Sequence, residues 1–233
     1  EVPIFSTVTA AAVNEATDLS NTAVNPTSVT ITASEIGIMT TLTDLARNSS
    51  SRNIAADIGK LFGEAIAKKM DQDLTALFDG FSSSIGGTGQ ELTVDKIFQA
   101  VATLRQANVP GPYYGVLNPK VAYNVKKNLT NTFVNPNPND LTNEALRTGY
   151  IGNIAGVQIF ESSNVDGTTD TDNCKGAIFS QDALGLAMMQ DLKIETQRDA
   201  SLRADEIVAT AVFGVGELHD SYGVELLAES VIN

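Results

Sequence analysis

The chain is poor in side chains that carry out chemistry: it has one cysteine, one histidine, and 15 lysines and arginines against 28 aspartates and glutamates. The single cysteine, Cys174, excludes an intrachain disulfide and a cysteine-based zinc cage, so packing alone must hold the fold. A net charge of −13 argues against a nucleic-acid clamp, which neutralises phosphates with clustered Lys and Arg. An acidic surface instead keeps the chain soluble or repels a nearby polyanion. No apolar run approaches the ~20 residues of a membrane-spanning helix, and no basic stretch leading into an apolar core opens the chain, so no membrane partner is expected. Glu1 stands where Met would begin a nascent chain, and a removed leader is the expectation.

What is present is enough for a sizeable core: 233 residues, 42% of them apolar, make one large domain or two small ones. Residues 1–28 contain no Lys or Arg and little periodicity, and read as an extended arm. From Val29 to residue 46 apolar and polar residues alternate, with Val29, Ile31, Ile36, Ile38 and Leu42 apolar and a parity change near Glu35 that suggests a bulge or hairpin turn. Asn48 to Ser51 offer capping side chains. Ile54, Ile58, Leu61, Phe62, Ala65, Ile66, Met70, Leu74, Leu77 and Phe78 then recur at helical spacing, which predicts one helix over 51–79, closed by Gly80. Such a helix would be about 43 Å long at 1.5 Å per residue.

"SSSIGGTGQ" (82–90) reads as a flexible connector. Thr93 caps a helix with apolar face Val94, Ile97, Phe98, Val101 and Leu104, ending before Pro110. A short strand through Tyr114, Val116 and Leu117 then meets Asn118 as N-cap and Pro119 at the first helical position, with Lys126 and Lys127 in the last turn. Residues 131–149 read as a long polar loop, and "GNIAGVQIFESSNV" (152–165) as a strand through Ile154, Val157, Ile159 and Phe160. Beyond it come a strand at 176–180, a short helix in "SQDALGLAM", and a strand over 190–199 with Leu192, Ile194 and Thr196 inward. Residues 205–217 and 221–228 read as a hairpin pair. No fixed-period repeat or alternating βαβ series is present, so the fold class is α+β.

No catalytic, cofactor-binding or metal-binding residue is assigned. His219, Asp220 and Ser221 are the members of a hydrolytic triad by type, but triad groups converge from separate elements, and the plainer reading is a turn histidine. "GVGELHD" lacks the third glycine and following helix of a dinucleotide loop. "DGTTDTDNC" (166–174) has acidic spacing like a calcium loop, but Cys174 falls at a ligand position and no bidentate Glu follows. Cys174 has no catalytic partner in its local sequence. Asp71 and Asp73 sit on an amphipathic helix, where solvation of the exposed face accounts for them. Tyr113, Tyr114, Lys120, Lys126 and Lys127 are too sparse for a base-stacking groove.

The order of elements, together with "YYGVLNPKVAYNV", "GYIGNIAGVQIFESSNV" and "LKIETQRDASLRADEIVATAVFGVGELHDSYGVELL", resembles the major capsid proteins of tailed bacteriophages. Their fold is also called HK-ninety-seven-like and is shared with encapsulins. The resemblance covers essentially the whole chain through loose patterns. It implies an N-terminal arm at 1–28, an E-loop at 29–46, a peripheral domain at 47–92 and 190–233 with a spine helix at 51–79, and an axial domain at 93–189. It further implies a chain that associates with itself into hexamers and pentamers of an icosahedral shell around double-stranded DNA, without specific recognition of that DNA. The setting would be the virion, after assembly in the bacterial cytoplasm, and portal, scaffold and decoration proteins are left open as further partners. The apolar face of the E-loop would be covered by a neighbouring subunit. Some members cross-link an E-loop lysine to a neighbour's asparagine, but the first lysine here is Lys60, so non-covalent assembly is expected. An encapsulin-like compartment with enzyme cargo is the alternative, and a small hydrolase using His219 a remote one.

Overall fold

The computed structural model describes residues 1–5, 8, 10, 12–15, 18, 21, 23–49, 53–132, 152–165 and 174–229. Its elements are β1 (Val2–Ile4), β2 (Thr27–Val29), β3 (Ser34–Thr43), α1 (Asp44–Ser49), α2 (Ile54–Ala76), β4 (Ser84–Glu91), α3 (Val94–Gln106), β5 (Tyr113–Leu117) and α4 (Pro119–Thr132). They continue with β6 (Asn153–Ile154), β7 (Val157–Glu161), β8 (Cys174–Ser180), β9 (Leu184–Asp199), β10 (Ala204–Glu217) and β11 (Gly223–Glu229). The class is α+β, with a six-stranded sheet β4-β11-β8-β5-β7-β6, a three-stranded sheet β3-β10-β9 and the pair β1-β2.

The six-stranded sheet carries the larger core. On α3, Ile97, Ala100, Val101 and Leu104 are buried at helical spacing, and on α4 Val121, Ala122 and Val125 join them over Leu117, Val157, Ile178, Val224 and Leu226. Phe98, expected on that face, is 51% exposed. The start of α4 follows its sequence signals: Asn118 Oδ1 accepts the Lys120 N–H at 3.0 Å and Pro119 opens the helix. The helix runs to Thr132, so Lys126 and Lys127 lie before its last turn. The strand expected through 154–160 is instead a tight hairpin, Ile154 facing Val157, because Ala155 (φ 57°) and Gly156 (φ 85°) both take the left-handed conformation of a two-residue turn.

The three-stranded sheet is antiparallel and packs against α2. Ile207, Ala209 and Ala211 on alternate positions of β10 meet Phe62 and Ile66 of α2, with Ile36, Ile38 and Ile58 alongside. Asn53 caps the helix, its Oδ1 accepting the Ala56 N–H at 3.4 Å, and the helix ends at Ala76 where the chain tightens into a 3₁₀ turn, Leu77–Gly80. Its 23 residues span about 35 Å rather than 43 Å. Residues 50–52 lie outside the described residues, as do 133–149 of the expected polar loop, whose first two residues instead belong to α4, then 150–151, and 166–173 of the calcium-like stretch.

Several expectations fail because a distant strand decides the local structure. Residues 29–46 make no two-stranded projection: Ser34–Thr43 pairs along its whole length with Phe213–Ala204, and Ile36 and Ile38 are covered by the chain's own α2. Both are partly buried there, so replacing either by aspartate would set a charge against the chain's own α2. The arm 1–28 is closed at its base, where Val2–Ile4 pairs with Val29–Thr27. Residues 84–91 are a strand, parallel to β11, despite their glycines. "SQDALGLAM" holds a single 3₁₀ turn, Gln181–Ala183, before 16-residue β9, which runs beside β10. Leu192 and Ile194 point at Gly63 and Gly59 of α2 but stay 39% and 45% exposed, and Thr196 is exposed. β10 and β11 are not a hairpin but belong to different sheets. β4 and β11 therefore lie with the α3–α4 core, not with the long helix.

Phe62 is 8% exposed at the centre of the α2–sheet contact. Phe62→Ala should cost about 3–5 kcal/mol, read as a lower denaturant midpoint of the unassembled chain; an unchanged midpoint would contradict this packing.

Candidate assembly surfaces

The residues singled out for chemistry do not come together. The His219 ring stacks on Tyr222, centroids 4.4 Å apart, while the Asp220 carboxylate accepts the Ser82 N–H at 2.6 Å and Ser221 is exposed. Cys174 is fully buried on β8. Tyr113 donates its hydroxyl to the Val109 carbonyl at 2.7 Å, and Tyr114 lies beside Phe160. Lys126 pairs with Glu161 at 2.5 Å and Lys127 with Glu91 at 3.3 Å, so these cations are partly neutralised within the chain. Among the described residues no group of three or more His, Cys, Asp or Glu is placed to hold a metal, and no helix is long and apolar enough to cross a membrane.

What the side chains do instead is fix the two sheets relative to one another. Three crossings of the chain meet at one junction: Leu77 to Ser83, Ser180 to Leu184, and Glu217 to Gly223. Phe78, Phe81, Val165, Ala177 and Ala183 are buried together there. The Ala183 carbonyl accepts the N–H groups of Leu218 and His219 at 2.8 and 3.2 Å. Gly223 lies flat against Phe81, whose ring atoms would be 2.2–2.4 Å from any Cβ at that position.

A second tie uses Asp71, which sequence reasoning left to solvent. The Ser162 hydroxyl and the Asn164 amide donate to its Oδ2 at 3.0 and 2.6 Å, and the Thr75 hydroxyl reaches the Asn164 carbonyl at 3.3 Å. Asn118 holds the same segment from the other side by donating to the Val165 carbonyl at 3.2 Å. The stretch "SSNV" thus ends β7 and binds α2 to the base of α4. Its turn-forming composition was a signal of local hydrogen bonding, though not of the partner. Asp73, by contrast, makes an i,i+4 pair with Lys69 at 2.6 Å.

The far end of the three-stranded sheet is closed by charge. Arg198 donates both terminal nitrogens to the Asp44 carboxylate at 2.7 Å and one of them to Asp205 at 3.3 Å, and Arg47 also pairs with Asp205. The Arg198 guanidinium holds the Asp44 carboxyl below its ordinary range. These groups are solvated and fix the position of α1 more than they add stability.

At the junction, burial and then the neighbouring Asp220 charge push the Glu217 carboxyl above its ordinary value. The folded state therefore favours the neutral form, and the charged form costs stability once the pH rises above the ordinary carboxylate range. Glu217→Gln should raise Tm at pH 7, with the gain fading as the pH falls from the raised folded-state range toward the ordinary carboxylate value of about 4.5 and absent below it; a variant less stable at pH 7 would contradict the burial. Asp71→Ala removes two hydrogen bonds to a half-buried charge and should lower stability by about 1–3 kcal/mol in denaturant unfolding. An effect within error would show that the segment 162–165 is held by packing alone.

Comparison with known proteins bears on what such a framework is for. A family model described as phage capsid protein matches residues 25–224. No curated protein matches the chain. Among solved structures, a chain from Mycobacterium phage Che8 is 23% identical with a TM-score of 0.77, over 97% of this chain and 83% of that one. A chain from the capsid of cyanophage P-SCSP1u is 18% identical with a TM-score of 0.76, over 98% and 83%. One from the holo-SrpI encapsulin complex of Synechococcus elongatus PCC 7942 is 11% identical with a TM-score of 0.67, over 90% and 78%. The two-sheet fold is the HK-ninety-seven-like one, and the family match extends over most of the sequence. The chain belongs to the phage capsid protein family, and it is a structural protein of a capsid shell.

Proposed function

We propose that this chain is the major subunit of an icosahedral shell, arranged as hexamers and pentamers that enclose double-stranded DNA. The observation that carries the reading is the phage capsid family match over residues 25–224, supported by the fold likeness to capsid chains along nearly the whole length. The proposed layout takes the six-stranded sheet with α3 and α4 as the axial domain, and α2 with the three-stranded sheet as the peripheral domain. The hairpin closed by β1 and β2 is then the projecting loop, a role that falls to residues 1–29 in place of 29–46.

The surface chemistry supports a container more than a reader of nucleic acid. With a net charge of −13, the wall would let packaged DNA lie against it without adhering. The first lysine is Lys60, on α2, so the projecting hairpin carries no amine for an isopeptide bond, and the shell is held by non-covalent contacts. Assembly in the host cytoplasm, and any docking of portal, scaffold or decoration proteins, belong to the same proposal. The fold likeness to an encapsulin supports a second reading, a compartment with protein cargo.

Negative-stain microscopy of the expressed full chain should show closed particles of uniform size, and denaturing gels of them a monomer band only. Particles recovered from infected cells should contain nuclease-resistant DNA. An expressed chain that stays monomeric would overturn the shell reading, a covalent ladder would overturn non-covalent assembly, and protein cargo in place of DNA would select the compartment.

A further inference from the structure

A pair of carboxyl groups sits at the junction of the two sheets. Glu217 is the last residue of β10, in the three-stranded sheet, and it is half-buried. Asp220 opens the 3₁₀ turn Asp220–Tyr222, which leads into β11 of the six-stranded sheet. A side-chain hydrogen bond joins the two carboxyl groups across that boundary. Each also touches the crossing that follows α2: the Asp220 carboxylate accepts the Ser82 N–H at 2.6 Å, and Glu217 lies over Gly80, where a Cβ would stand 2.8 Å from its Oε2. The pair therefore bridges two of the three crossings, Leu77 to Ser83 and Glu217 to Gly223.

Two ionised carboxylates have no hydrogen to share, so a hydrogen bond between them requires that one keep its proton. The surroundings decide which. Hydrogen bonding by Ser82 holds the Asp220 carboxyl below its ordinary range, whereas burial and then the Asp220 charge raise that of Glu217. Glu217 is thus the donor and Asp220 the acceptor, a division of roles set by environment. Among the described residues neither group makes an ion pair with Lys, Arg or His, so no cation offsets a second negative charge. The other titratable groups on the elements that meet here are Asp79, held by Lys175 at 2.6 Å, Asp182, His219 stacked on Tyr222, and Glu225 of β11.

We propose that Glu217 and Asp220 hold one proton between them as a pH-dependent tie across the junction, closed in acid and weakened once the proton leaves for solvent. Phe81 against Gly223 sets the angle between the sheets at any pH, and the proton sets how often the crossings beside it open. The neutral form of Glu217 is favoured in the closed junction, so its stabilisation is complete below the ordinary carboxylate value of about 4.5 and is lost as the pH rises through the raised folded-state range. Acid therefore tightens this junction, where protonating an ion-paired carboxylate would loosen it. Above that range two like charges face each other without a counter-charge, and the crossing that carries Asp220 opens to part them. The inference goes beyond the shell reading and does not depend on it, because the tie lies within one chain.

Hydrogen exchange of the unassembled full chain, read by mass spectrometry on peptides covering 77–84 and 217–223, tests this at about pH 5 and about pH 8, both above the pI near 4.4. Exchange is corrected for the intrinsic pH dependence of free amides, so that what remains reports opening. Both peptides should lose protection at the higher pH. Glu217→Gln offers an amide that donates to Asp220 at every pH and should keep the slow exchange throughout. Asp220→Asn should shrink the difference, leaving the part due to burial of Glu217, and Asp182→Asn, which changes a carboxyl outside the pair, should leave it as in the wild type. Equal protection at the two pH values in the wild type would overturn the inference, as would a difference that survives in Glu217→Gln, stays at full size in Asp220→Asn or vanishes in Asp182→Asn. Equal loss over a peptide covering 97–104 of α3 would assign the effect to overall stability and overturn the local tie. Whether the same chain forms particles is read separately by microscopy and bears on the shell reading alone.

Discussion

The relation between the two sheets depends on the contact between the Phe81 ring and the bare backbone of Gly223. Any side chain at Gly223 would occupy the space of that ring. Phe81 in turn lies with Phe78, Val165 and Ala183 where all three chain crossings between the sheets converge. Each sheet has its own helix-covered core and would be an independent layer without this junction. With it, and with the Asp71 tie to Ser162 and Asn164, the orientation of α2 against the six-stranded sheet is fixed from two sides. In the proposed shell, a fixed internal angle would present every copy's edges in the same place.

The parts of the fold that could be read from sequence are those in which local signals agree. In α3 the apolar period and the boundary at Thr93 coincide, though the Thr93 side chain makes no capping hydrogen bond, and in the β5–α4 unit Asn118 and Pro119 mark a helix start that the structure reproduces. The parts that could not be read are those decided by a partner far along the chain. Residues 34–43 look like a self-contained hairpin until residues 204–213 are laid beside them. "SIGGTGQE" has every mark of a linker, yet it is held as a strand by parallel pairing with β11. The same holds for the ends of α2, where "SSNV", about 90 residues away, binds the last turns. Alternation can mark a segment as a strand, as in residues 34–43, but it does not say which distant strand lies beside it.

The surfaces were less legible still, because an assembly contact is defined by what a structure leaves unpaired. The absence of lysine before Lys60 could be read directly, and it limits the chemistry available to the N-terminal quarter. That β3 is an unprotected edge beside an apolar groove follows only once the strand order is known. Charge tells a similar story: residues 1–46 hold Glu1, Glu15, Asp18, Glu35 and Asp44 and no basic side chain, a local asymmetry hidden within the overall balance.

The central claim is that this chain closes on itself into a symmetric shell. Its most direct test is the mass of the particle formed by the purified full chain, measured by native mass spectrometry. The account predicts a sharp, discrete mass that is a whole-number multiple of the 24.6 kDa subunit compatible with icosahedral symmetry, whereas a monomer, a small oligomer or a continuous spread of masses would contradict it.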